Sequence, residues 1–149
     1  MAALGRRAAG VIPTLGGRLQ TRLFLAFAVG APLTALLALV LPMGLADAFV
    51  ILLAATVLGA GWELLYHLLM QFRWDKDWPT LFGLLTGLPE GLLLWGLLQA
   101  ELVPLVTGPV RGGAFTIMFL VVWLGQWLFA NGPMRVLSVR WRLRGGRLI

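Results

Sequence analysis

The sequence predicts an all-α integral membrane protein, four transmembrane helices in an antiparallel bundle with both termini in the cytoplasm. Three observations lead there. Of the 149 residues, 60% are hydrophobic and only 12% charged, with a mean hydropathy of +0.90; soluble domains carry about 25% charged residues. Four long apolar segments, each bounded by Pro, Gly or charge, fill most of the chain. The basic residues fall almost entirely on one side of those segments.

A basic segment, residues 1–22, comes first and carries Arg6, Arg7, Arg18 and Arg22. The first span covers residues 23–41, nineteen uncharged positions that reach about 28 Å as a helix, close to the hydrocarbon thickness. Ala46-Asp47-Ala48 resembles a processing site, but the apolar run before it is longer than the h-region of a signal peptide, so the segment reads as an anchor. The second span covers roughly 47–70, the third 80–102 and the fourth 114–130, joined by short loops and followed by a basic tail over 131–149. The four spans make one transmembrane domain, 23–130, and leave no room for a separate soluble domain.

Eleven of the twelve Lys and Arg residues lie before the first span, between the second and third, or after the fourth, and only Arg111 lies on the other side. The positive-inside rule therefore places both termini in the cytoplasm. The basic residues are arginine except for Lys76, in a chain rich in Gly, Ala and Leu. That composition points to a bacterial plasma (inner) membrane and a GC-rich genome. The net charge of +6 is accounted for by topology and by attraction to anionic lipid headgroups, so no nucleic-acid partner is expected. From Met134 to Arg144 arginines partly alternate with apolar residues, which suits a short strand or an interfacial segment.

No cysteine is present, which excludes disulfides, thiolate metal sites and a cysteine nucleophile; the single histidine excludes a multi-histidine site within one subunit. No serine sits with a histidine base in a nucleophile context and no phosphate-cradling glycine motif precedes a helix, so no catalytic residue, metal or cofactor is assigned.

The informative stretch closes the second span. Glu63, His67 and Gln71 are four residues apart and stack along one helix face. Glu63 falls about 12 Å inside if Gln71 marks the interface, and Glu90 of the third span about 16 Å inside from the same side. With Gln126 of the fourth span at a comparable level, Glu63, His67, Glu90 and Gln126 form a predicted intramembrane polar cluster. A charge at the middle of a span costs about 2.5–3.5 kcal/mol on insertion scales, so these groups should face the bundle or a partner. Glu90 is expected to be protonated unless a cation lies close, and His67 to share a proton with Glu63 across one turn.

Pro89 removes the donor that would serve the carbonyl of Leu85, predicting a kink that Thr86 partly repairs. Gly83, Gly87 and Gly91 recur every four residues and predict a close approach by another helix backbone, with Glu90 pointing into that contact. Ala26, Gly30, Thr34 and Ala38 make a similar stripe on the first span. In the cytoplasmic loop after Gln71, Arg73, Asp75, Lys76 and Asp77 read as a solvated turn between the interfacial anchors Trp74 and Trp78. A divalent cation held by Asp75 and Asp77 is a weaker alternative.

Three functions follow as expectations. The leading one is a small non-enzymatic subunit that scaffolds, anchors or assists assembly of a larger membrane complex of other subunits, with Gln tolerated in place of Glu63 or Glu90; a homo-oligomer is the alternative partner and would count against it. The second is a proton- or cation-coupled carrier using Glu63, His67 and Glu90. The third is a membrane enzyme acting on a lipid-linked phosphate through Glu63, His67, Asp75 and Asp77.

Overall fold

A computed structural model of the chain describes residues 15–72 and 80–138. Among them the fold is all-helical, with no strand. The first helix runs continuously as α1 (Leu15–Leu25), a π-helical turn (Ala26–Gly30) and α2 (Ala31–Val40). Then follow α3 (Leu45–Gln71), α4 (Thr80–Leu85), α5 (Gly87–Gln99), α6 (Gly112–Asn131) and α7 (Pro133–Leu137). Three helical stretches, Leu15–Val40, Leu45–Leu69 and Gly112–Leu137, are long and apolar enough to cross a membrane. The stretch made of α4 and α5 is interrupted at Thr86.

The first helix differs most from its expected bounds. It begins at Leu15, eight residues before the run of uncharged residues, so Arg18 and Arg22 lie on the helix and not in a flanking segment. The π turn has a cause in the sequence. Pro32 lacks an N–H and its ring would strike the carbonyl of Ala28, four residues back. The helix widens by one residue just before it, and the Ala31 N–H reaches Ala26.

The helices pack in a ring. The first helix lies against α3 and α6, α3 against α5, and α6 against α4 and α5, which sets the first helix diagonally opposite α5. The two ends of the ring are built differently. At the end farther from Leu15 and Leu137, Ala48, Ile51, Leu94, Val103, Phe115, Met118 and Val122 form an apolar core. Outward, many large side chains are exposed, among them Phe27 at 85% and Leu39 at 79%, as suits helices whose surroundings are lipid.

The connection between α5 and α6 closes the apolar end. α5 stops in a Schellman motif: the Leu102 N–H bonds the Leu97 carbonyl at 2.9 Å and the Glu101 N–H bonds that of Leu98 at 3.1 Å, with Glu101 at φ 56° in the left-handed region. The helix thus ends at Gln99 rather than at 102. Farther along, Asp47 in the first turn of α3 accepts bonds from the Thr107 backbone N–H at 3.0 Å and hydroxyl at 3.1 Å, pinning the loop over the bundle. After α6, Pro133–Leu137 is helical, not a strand, and Met134 is buried at 1% exposure; the remaining arginines of the tail lie outside the described residues.

Candidate functional site

At the other end of the bundle the interior is ionic. Arg22 reaches from α1 across the axis to the diagonal helix, where Nη1 and Nη2 each meet one oxygen of Glu90 at 2.9 Å, a two-pronged pair. Its Nε also donates to Oε1 of Glu63 on α3 at 3.1 Å. One turn earlier on α1, Arg18 Nε holds the other Glu63 oxygen at 2.6 Å. The Tyr66 hydroxyl stands 3.3 Å from Glu90 Oε1 and 3.4 Å from the Thr86 carbonyl. Arg18, Glu63, Arg22 and Glu90 therefore form one chain of alternating charge joining three helices, with two guanidiniums against two carboxylates. The ion-paired side chains are only 6–13% exposed.

Local sequence clears the path for Arg22. A Cβ on Gly59 of α3 would collide with the Arg22 guanidinium, its Nη1 above all. Gly59 is thus a passage for the side chain that crosses the bundle. On the far side the guanidinium carbon lies 5.7 Å from the ring centre of Trp123 of α6, a cation–π contact.

Trp123 also repairs the break between α4 and α5. Its ring N–H donates to the Leu84 carbonyl at 3.1 Å, while the Thr86 hydroxyl donates to Gly83 at 2.8 Å. Thr86 does serve a carbonyl near the break, that of Gly83 rather than Leu85, and a neighbouring helix supplies another donor. The glycine stripe explains how α6 comes so near. Added Cβ atoms would strike Trp123 at Gly87 and come within 2.8 Å of Phe119 at Gly91, while Gly83 lies beside Trp127. Gly83, Gly87 and Gly91 therefore receive a ladder of aromatic rings from α6, not a second backbone, and the contact lies within this chain. Glu90 faces Arg22 instead of entering that contact. The Ala26, Gly30 and Thr34 stripe is likewise turned inward, Gly30 against Gln126 and Leu52.

The predicted cluster is thus assembled in part. Glu63 and Glu90 meet, bridged by an arginine assigned to the flank. A cation does lie close to Glu90, since the Arg22 guanidinium meets both of its oxygens. The Glu63–His67 pair does not form: both Glu63 oxygens are held by arginines, and the buried His67 Nδ1 has no hydrogen-bond partner among the described residues. Gln126 lines the cavity beside the cluster. Gln71 is exposed at the end of α3, and Arg73, Asp75, Lys76 and Asp77 lie outside the described residues. Among the described residues no three His, Asp or Glu side chains come together as metal ligands. Arg18, Arg22, Gly59, Tyr66 and Trp123 were not singled out from sequence. The visible signal was Arg18 and Arg22, four apart and within a turn or two of an apolar run.

A vestibule of about 260 Å³ opens over the network, bounded by Arg18, Glu63, Tyr66, Gln126, Trp127 and Asn131 among others. Beyond Arg22 and Glu90 a small void of about 40 Å³ adjoins the apolar core. The ion pairs sit between the two cavities and tie three helices together. No protein-family model matches the chain, and no curated protein or solved structure shows significant similarity to it.

Proposed function

We propose that the chain is a small four-span subunit of a bacterial plasma membrane, with both termini cytoplasmic, that scaffolds, anchors or assists assembly of a larger membrane complex. In this reading α4 and α5 together make the remaining span, twenty residues over 80–99 that reach about 30 Å. The observation that carries the proposal is the closed ion network. Each intramembrane carboxylate is neutralised by an arginine of the same chain, so the buried charges act as ties between helices and require no transported cation. The apolar helix faces remain for lipid and for partner helices.

Native mass spectrometry of the protein extracted from its own membranes in mild detergent tests this directly. Foreign subunits in fixed stoichiometry are the expected result, and they would identify the complex. A monomer or homo-oligomer without companions would overturn it.

The carrier reading is favoured by one observation, the open vestibule that leads to Arg22 and Glu90. It requires proton or cation flux in reconstituted vesicles, carried by wild-type protein and absent from a folded variant in which Arg22 and Glu90 are both replaced.

A further inference from the structure

Two cavities of this molecule meet at Trp123. One is the charged vestibule. The other is an apolar groove of about 520 Å³ between α5 and α6, lined by Leu88, Leu92, Phe115, Phe119 and the backbone at Gly87 and Gly91. Leu88 is 61% exposed and Leu92 72%, so the groove opens outward, to the lipid side. It extends from Leu84 to Trp95, eleven residues or about 16 Å at the helical rise. That is about half of a hydrocarbon core some 30 Å thick. At its charged end Leu84 and Leu124 lie within a turn of Gly83 and Trp127, which line the vestibule.

The vestibule restricts what can enter. Its network holds two guanidiniums and two carboxylates; a lone anion or cation would leave one charge uncompensated in a poorly solvated place, whereas a zwitterion would not. The outermost tie is the one that can change partners. If Arg18 releases Glu63, that carboxylate still holds Arg22, and the two-pronged Arg22–Glu90 pair is untouched.

We propose that groove and vestibule together bind one zwitterionic phospholipid with a primary ammonium headgroup, from the leaflet nearer the charged end. One acyl chain lies along the groove between the exposed Leu88 and Leu92 and the rings of α6, the phosphate takes the Arg18 guanidinium, and the ammonium donates to Glu63. This site does not depend on the scaffold reading.

The test is lipid retention by the whole chain, reconstituted in nanodiscs of equal phosphatidylethanolamine, phosphatidylcholine and phosphatidylglycerol and released for native mass spectrometry. One phosphatidylethanolamine per chain is expected. Phosphatidylcholine, whose quaternary ammonium has no N–H for Glu63, should be retained about tenfold less, the order of one charge-assisted hydrogen bond. Arg18→Gln, which removes the partner of a phosphate common to all three lipids, should reduce retention of each of them. Thr116→Phe, which fills the groove from an exposed position remote from the charges, should reduce retention of the lipid. Helical circular dichroism confirms that both variants are folded. No retained lipid, equal retention of phosphatidylcholine, a preference for phosphatidylglycerol, or retention unchanged in both variants would each overturn the site; the wild-type comparison decides even if a variant fails to fold.

Discussion

Arg22 is where the chemistry of the bundle is decided. Isolated in sequence, Glu90 looked like a carboxyl that a glutamine could replace. Its two-pronged pairing with Arg22 changes that expectation, because removing one partner of a buried ion pair leaves the other charge stranded. Glu90→Gln should destabilise the bundle by about 3 kcal/mol in thermal or denaturant unfolding in detergent, whereas Arg22→Met combined with Glu90→Leu should recover most of that loss. Glu63 would keep Arg18 in the double variant. Gly59→Ala should cost about 1–3 kcal/mol by forcing a methyl group into the guanidinium. The same change beside Arg22→Met should be neutral or mildly stabilising, and a double-mutant cycle measures the coupling. The sequence showed two carboxylates at similar depth on adjacent spans. It did not show their counter-ions, because counting uncharged residues sets a span boundary at the first arginine, and an arginine whose charge is neutralised inside the bundle violates that rule.

At the level of elements, the glycine spacing was plain in the sequence and its partner was equally regular. Phe115, Phe119, Trp123 and Trp127 are four apart on α6, and successive ring centres from Phe115 to Trp123 stand 5.7 and 6.0 Å apart in stacked pairs. In sequence, tryptophans near a span boundary fit an interfacial role equally well, and only packing tells a ring facing glycine from one facing headgroups. Helix ends are the other element-scale lesson. Glu101 holds the left-handed position of a Schellman cap, where a side chain costs about 1 kcal/mol relative to glycine. Glu101→Gly should therefore raise the unfolding midpoint, by an increment of about that size, without altering the Arg22 network.

For the whole molecule, hydropathy and composition were enough to predict an all-helical membrane protein, since they depend on the solvent and not on side-chain contacts. The ring order of the helices was not legible, because the helices are apolar around most of their circumference and contain few residues that mark a face. Orientation is open to direct measurement, as the chain has no cysteine and offers two exposed glycines with open space beside them, Gly16 and Gly108. A membrane-impermeant thiol reagent on intact cells should label Gly108→Cys and should label Gly16→Cys only after permeabilisation. The reverse pattern would invert the proposed topology.

The diagonal reach of Arg22 also bears on how the protein is made. Its partners lie 41 and 68 residues downstream, and at a synthesis rate of about 5–20 residues per second the second arrives on the order of 3–14 s after Arg22 itself. Before Glu63 is made neither guanidinium has its partner, and until Glu90 follows, Arg18 and Arg22 share one carboxylate. The final seating of the first helix therefore has to wait for the third helical segment, which gives biogenesis an obligatory order: a nascent chain truncated before Glu90 should remain associated with the insertion machinery or be degraded, and one extended through α5 should be released into the bilayer.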